Sequence, residues 1–219
     1  MIKFLDIRKQ DKNLHKLIFS DLKKIIDKSS FILGDHVHNF EKKFAVFCNT
    51  KYAISCANGT DALTLALKSL NLPKNSEVII PAMTYCSTAF SIINANLMPV
   101  LADIDILKPT ISIKEIKKKI TKKTKAIIPV HYTGCATNMK IITSLSKKYK
   151  IHVIEDACQS ILGSYNKKNC GTWGLTGAFS FHPLKNINVW SDAGMIVTNS
   201  KLIYKRLLLL RNHGLVDRD

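Results

Sequence analysis

The chain has 219 residues, 46% of them hydrophobic and 22% charged, an ordinary balance for a folded domain and enough length for one sizeable core. Its 33 basic residues outnumber 16 acidic ones, but the lysines lie in scattered pairs and triplets without interleaved aromatics, so a Lys-Ile-Asn compositional bias explains them better than a nucleic-acid surface. No apolar run approaches the ~20 residues that span a bilayer, the N-terminus turns charged too soon for a secretory leader, and six cysteines stand singly without metal-ligand spacing. These features predict a cytoplasmic protein with free thiols, no metal and no membrane partner.

Leu14, Leu17, Ile18, Leu22, Ile25 and Ile26 follow the helical period and predict an amphipathic N-terminal helix. Phe40, Phe44 and Phe47, after a turn at Gly34, predict a second. Strand-like runs then alternate with helical ones. Strands are expected at 52–57, 78–81, 99–102, 126–130 and 152–155, and helices at about 61–70, 87–96, 113–120 and 139–150. The strand runs are continuously apolar, which argues for a largely parallel sheet covered on both faces. Two more strands, at 178–181 and 195–198, precede a last helix at 201–211.

Sheets of this kind bind ligands at the C-terminal ends of their strands. Three such ends carry chemistry here. Asn58-Gly59-Thr60-Asp61 leads from a strand into a helix, so its N–H groups and the helix dipole can seat a phosphate; plain capping by Asn58 or Thr60 accounts for it equally well. Glu155-Asp156-Ala157-Cys158-Gln159 puts acids at the end of a buried strand, either as a cap or aimed at a ligand, where an Asp keeps a pyridine nitrogen protonated. Ser180 and Lys185 share one short stretch. Lys185 follows a strand and a proline, so the fold directs it, and a partly desolvated amine serves as nucleophile or base. In this order the three describe a phosphate seat, a pyridinium partner and a Schiff-base lysine.

The matching stretches are Gly34 with Phe40-Glu41, Asn58 to Leu63, Glu77 to Tyr85, Pro129 to Gly134, Glu155 to Gln159, Phe179 to Asn186, Gly194 to Thr198 and Arg211 to Gly214. On these the chain resembles the sugar aminotransferases of the DegT/DnrJ/EryC1/StrS family along essentially its whole length. The resemblance implies an α/β fold, the three-layer αβα large domain of fold type I pyridoxal-phosphate transferases with a mostly parallel central sheet. Residues 1–219 would form that domain, with N-terminal helices over about 1–50 and the α/β core over about 51–219; the smaller C-terminal domain of the family would be absent.

The same resemblance implies a pyridoxal 5'-phosphate cofactor and a role for each matching residue. Lys185 would bind the cofactor covalently and shuttle the proton, and Asp156 would pair with the ring nitrogen. Gln159 would lie near the phenolic oxygen, Gly59, Thr60 and Ser180 would hold the phosphate, and Tyr85 would stack on the ring. His131 and His182 match motif positions without an assigned role. The implied reaction moves an amino group, most simply from glutamate, to a keto-sugar carried on a nucleotide, in amino-sugar biosynthesis, within a homodimer whose partner contributes to each site. One departure is the run Ser191-Asp192-Ala193-Gly194, which keeps an acid but lacks two glycines common in the family, and bears on loop geometry. Three alternatives stand beside this. Sugar dehydratases of the same scaffold replace the lysine. A dinucleotide-binding dehydrogenase would want a GxGxxG turn after the first strand, which is missing. A chain that binds the cofactor without turnover is the third.

Overall fold

The computed structural model describes residues 12–215. The charged N-terminal run and the last four residues lie outside the described residues. The chain divides into two compact units, residues 1–40 and 41–219. In the first, the predicted amphipathic helix is α1 (Lys12–Asp27), and α2 (Asp35–Cys48) begins after the turn at Gly34.

The second unit holds the alternating core. In chain order it contains β1 (Tyr52–Cys56), α3 (Gly59–Ser69), β2 (Glu77–Pro81), α4 (Ser87–Asn94), β3 (Met98–Ala102), the short pair β4 (Ile104–Asp105) and β5 (Lys108–Ile111), and α5 (Ile113–Lys119). Next come β6 (Thr124–Ile127), α6 (Met139–Tyr149), β7 (His152–Asp156), the pair β8 (Ser164–Tyr165) and β9 (Lys168–Asn169), β10 (Thr176–Ser180), β11 (Gly194–Thr198) and α7 (Lys201–Arg211). Seven strands form one sheet in the order β1-β11-β10-β7-β6-β2-β3, in which β11 alone runs antiparallel to its neighbours. The mostly parallel α/β sheet expected from the sequence is what forms.

Two details differ from expectation. The strand predicted at 126–130 ends at Ile127, and Val130 returns only as a single bridge to Asp156, because Pro129 has no N–H to give to a ladder. β11 is antiparallel because residues 181–193 contain no helix to carry the chain back across the sheet. Without a crossover the chain can only turn and return beside β10, and Lys185 rides on that return.

Side chains of successive strand residues alternate between two buried layers. Ile54, Val78, Ile80, Ile154, Ala178 and Ile196 meet Leu63 and Leu67 of α3, Ile92 of α4, and Ile203 and Leu207 of α7. Their neighbours Ile79, Ile127 and Val153 meet Ile116 of α5 and Met139, Ile142 and Leu145 of α6 on the opposite side. On that side too, Phe44 of α2 packs edge-on against Phe179 and Phe181, with ring centroids 5.2 and 5.3 Å apart. The two-residue period of the strands thus forms two apolar layers, giving helix, sheet and helix. Glu41 of α2 binds the backbone N–H and the hydroxyl of Ser55, each at 2.8 Å, and pairs with Arg211 of α7, so a buried ion pair ties both helices to β1.

The same alternation separates Glu155 from Asp156. Asp156 falls on the α3 and α4 side, whereas Glu155 faces the other layer, fully buried. Its carboxylate accepts N–H groups from Gly171 at 2.9 Å, Trp173 at 2.6 Å and Gly174 at 2.7 Å. The fourth partner is His131, also fully buried, whose Nε2 lies 2.9 Å from Glu155. Thr137 donates its N–H to His131 Nδ1 at 3.2 Å, so Nε2 carries the ring proton and donates it to Glu155. His131 also donates its own N–H to Asp156 O at 3.0 Å, which joins this network to the strand end that bears Asp156.

Among the described residues no helix is long and apolar enough to cross a membrane. All six cysteines are free.

Two stability measurements check this account. Phe179→Ala empties the ring position shared with Phe44 and costs about 3–5 kcal/mol in urea unfolding, with an unchanged transition slope. Glu155→Gln turns an amide donor toward groups that are themselves donors and costs about 3 kcal/mol or more, read by the same titration.

Candidate active site

The C-terminal ends of β1, β2, β7 and β10 border a cavity of about 420 Å³. Every residue to which the resemblance gives a cofactor role lines it: Gly59, Thr60, Tyr85, Asp156, Gln159, Ser180 and Lys185; Glu155 and His131 do not. The residues with that role come from four separate segments, and the sheet is what brings them together.

At one end lies the start of α3. Asn58 is extended, its side-chain Oδ1 accepts the Asp61 N–H at 2.8 Å, and its carbonyl accepts the Ala62 N–H at 3.0 Å. The cap therefore uses the third N–H of the helix and leaves those of Gly59 and Thr60 without an acceptor among the described residues. Capping and anion seating, which compete as explanations in the sequence, coexist because they use different donors. Glycine at 59 is required by close approach. A Cβ there would stand 2.9 Å from both Ser180 Cβ and Cys158 Sγ. Gly194 is more tightly constrained, since its Cβ would meet Asn58 O at 2.2 Å. Of the loop Ser191-Asp192-Ala193-Gly194, only that last position has to be glycine for α3 to start where it does. The missing family glycines thus leave the loop intact, and Asp192 lines the cavity.

At the other end is Asp156, 6% exposed. Its Oδ2 accepts the Thr88 hydroxyl at 2.8 Å and its Oδ1 accepts the Cys158 N–H at 3.2 Å. Between the two ends stands Lys185. Its N–H donates to His182 O at 2.8 Å across the Pro183-Leu184 turn, and its carbonyl accepts from Asn188 Nδ2 at 3.1 Å. The backbone that carries the amine is therefore held on both sides.

Gln159 Oε1 accepts the Thr133 N–H at 2.8 Å. Its oxygen being taken, the amide presents its NH₂ as the donor to the cavity. Thr133 sits at φ 50°, a left-handed conformation that costs a β-branched residue roughly 1–3 kcal/mol and that places its N–H on Gln159. Tyr85 is 68% exposed at the cavity mouth. His182 also lines the cavity, but its Nδ1 accepts the Leu184 N–H at 3.2 Å, so it is engaged in shaping the turn.

Two thiols lie close by. Burial, with the nearby Asp156 carboxylate adding to it, lifts Cys158 well above the usual thiol range. Burial and then Asp61 push Cys56 up to about 12. Both remain protonated at neutral pH, so neither is a thiolate nucleophile. The amine of Lys185 is the nucleophile that suits an aldehyde in this cavity.

Thr84, Ser87 and Thr88, to which the sequence assigns no role, also line the cavity. Thr60 donates its hydroxyl to Ser87 Oγ at 2.8 Å, and Thr84 Oγ1 lies 2.8 Å from Thr88 Oγ1. The signal was available: these residues begin the helix that follows the C-terminal end of β2, the same kind of position that pointed to Gly59, Asp156 and Ser180.

Comparison with known proteins places the chain in a family. The model of the DegT/DnrJ/EryC1/StrS aminotransferase family matches residues 12–219. The dTDP-3-amino-3,6-dideoxy-alpha-D-galactopyranose transaminase of Aneurinibacillus thermoaerophilus is 40% identical over 214 residues, which is 98% of this chain and 59% of that protein. Among solved structures, S. venezuelae DesV in complex with a ketimine intermediate has a TM-score of 0.95 at 31% identity, covering 99% of this chain and 58% of its own. NtdA from Bacillus subtilis, with bound cofactor PMP, has a TM-score of 0.89 at 30% identity, covering 95% of this chain and 47% of its own. The chain therefore spans less than two thirds of each of these proteins. A match over nearly all of the sequence, on a fold that superimposes this closely, means that the chain belongs to the DegT/DnrJ/EryC1/StrS aminotransferase family.

Proposed function

We propose that the cavity binds pyridoxal 5'-phosphate and that the whole protein transfers an amino group from an amino acid, most simply glutamate, to a keto-sugar carried on a nucleoside diphosphate. One observation carries this reading. A buried carboxylate, a lysine with a fixed backbone and a helix start whose first two N–H groups are left over by its cap line a single cavity of about 420 Å³. Each answers one part of the cofactor: ring nitrogen, aldehyde and phosphate.

The residues fit that group on their own chemistry. The unaccompanied N–H groups of Gly59 and Thr60, at the positive end of α3, form a dianion seat together with the Ser180 hydroxyl. Asp156 keeps a free lone pair on each oxygen, enough to accept a ring N–H⁺. Gln159 offers its NH₂ to the phenolic oxygen, and Tyr85 covers one ring face and excludes water there.

When bound, pyridoxal phosphate supplies an aldehyde that captures amines and a ring that draws off the electrons left at a deprotonated carbon. The chain's own groups do the rest. Lys185 would hold the aldehyde carbon at rest and, once released by the donor amine, would move a proton from the donor α-carbon to that former aldehyde carbon. Asp156 would keep the ring nitrogen charged, the condition for the ring to serve as an electron sink. The relatives, a transaminase of a nucleotide-linked sugar among them, support the acceptor class. The large exposed side chains Phe90, Ile93, Ile106 and Leu107 support a second copy of the chain as partner. Residues 1–219 would supply the cofactor-binding domain for this reaction.

The test begins with cofactor. Adding pyridoxal phosphate to the chain produces a visible band that borohydride traps as a stable adduct, and Lys185→Ala abolishes both. A borohydride-reducible band that survives in Lys185→Ala overturns the assignment of Lys185. With glutamate and a keto-sugar nucleotide, 2-oxoglutarate accumulates, and Lys185→Ala lowers its rate by about 10²–10⁴-fold. A trapped adduct without any oxo acid identifies a cofactor-binding chain that does not turn over.

A further inference from the structure

Asp156 can hold a ring proton only if its carboxylate points in one direction, and the first turn of α4 provides that restraint. Thr88 has a single hydroxyl proton, and Asp156 Oδ2 at 2.8 Å is its acceptor. Thr84 Oγ1 lies 2.8 Å from Thr88 Oγ1. Since the Thr88 proton already points at Asp156, Thr84 has to be the donor of this second bond. The hydroxyls thus form a one-way chain from Thr84 through Thr88 to Asp156.

The Thr88–Asp156 link is rigid and dry, while Thr84 is half-buried. Thr88 is 1% exposed and Asp156 6%. The Thr88 N–H donates to Tyr85 O at 3.0 Å, its carbonyl accepts the Ser91 hydroxyl at 2.8 Å, and a β-branched side chain on a helix has little χ1 freedom. A hydrogen bond to a charge is stronger where water is excluded, and the donor behind Thr88 polarises it further. Ser87, the preceding residue, accepts the Thr60 hydroxyl at 2.8 Å. Consecutive residues of one helical turn therefore grip the anion seat and the acid, and set the distance between them.

We propose that Thr88, backed by Thr84, is a positioning residue that aims the Asp156 carboxylate at the ring nitrogen and holds it as an acceptor, while Ser87 fixes the start of α3 at the matching distance. This inference rests on the pyridoxal-phosphate assignment above. Thr88 acts through Asp156 and touches no reacting atom. Its replacement by valine keeps shape and branching but removes the donor, and replacement by serine keeps the donor.

The experiment measures pyridoxal-phosphate affinity, the pH midpoint of the bound cofactor's visible band, and the melting temperature of the cofactor-free chain for Thr88→Val, Thr88→Ser, Thr84→Val and the unchanged protein. Thr88→Val is expected to bind about tenfold more weakly, with Thr88→Ser within about twofold of the unchanged chain and Thr84→Val about threefold weaker. The midpoint moves to higher pH in Thr88→Val. A ring that gives up its charge more readily withdraws less from the Lys185 nitrogen, which then keeps its own proton longer. A loss of packing alone would lower the melting temperature without moving that midpoint. Unchanged affinity and midpoint in Thr88→Val overturn the proposal, as does a Thr88→Ser that melts normally yet fails to recover them. Should Thr88→Val not fold, Thr84→Val decides the matter, and unchanged affinity and midpoint there overturn the relay. An unchanged chain that forms no trappable band overturns the cofactor assignment and this proposal together; a normal band with unaltered threonine variants overturns this proposal alone.

Discussion

The site depends on one geometric constraint, the period of two along β7. Neighbouring residues of a buried strand must face opposite layers, so Glu155 and Asp156 are sent to different sides of the sheet. Two adjacent carboxylates on one side would repel each other at a strand end with little water to screen them. Separated, they take different partners. Glu155 collects three backbone N–H groups and His131, which fastens residues 171–174 against the central strand. Asp156 turns to α4 and the cavity. The polar atoms beneath the cavity are satisfied by Glu155, which leaves Asp156 with acceptor capacity to offer a ligand.

A second constraint is the close approach of backbone to backbone around α3. The helix can start where it does only because Gly59 lies against Ser180 and Cys158 and because Gly194 of β11 lies against the Asn58 carbonyl. This packing brings the antiparallel strand, the return loop that carries Lys185 and the helix start into one corner. It also explains why the loop before Gly194 tolerates Asp192 and Ala193. Those positions are not pressed against α3, so side chains there do not displace the anion seat.

Electrostatics then narrows the chemistry. Cys158, which lines the cavity beside Asp156, and Cys56, near Asp61, are kept protonated by burial and by those neighbouring acids. A thiol in that state competes poorly with an amine for an aldehyde. The basic surplus of the chain plays a more general part. It favours the approach of a multiply charged anion such as a nucleoside diphosphate without selecting a sugar.

Much of this was legible in the sequence. Continuous apolar runs alternating with helical ones require a buried parallel sheet, because such strands have no face to offer to water, and the positions of Asn58-Gly59-Thr60, Asp156 and Ser180 follow from where those runs end. Other features were not legible. The short hairpins β4–β5 and β8–β9 are too brief to carry a periodic signal, and the end of β6 depended on Pro129. That His131 serves Glu155, that Thr88 serves Asp156 and that Ser87 meets Thr60 are contacts between residues 24, 68 and 27 positions apart. By itself the sequence determined the layers and the kinds of group at each strand end, since both depend on local periodicity and composition. Only the tertiary structure decided which group each one faces, because strand order and the pitch of α4 against the sheet set those distances, and neither is written in any single segment.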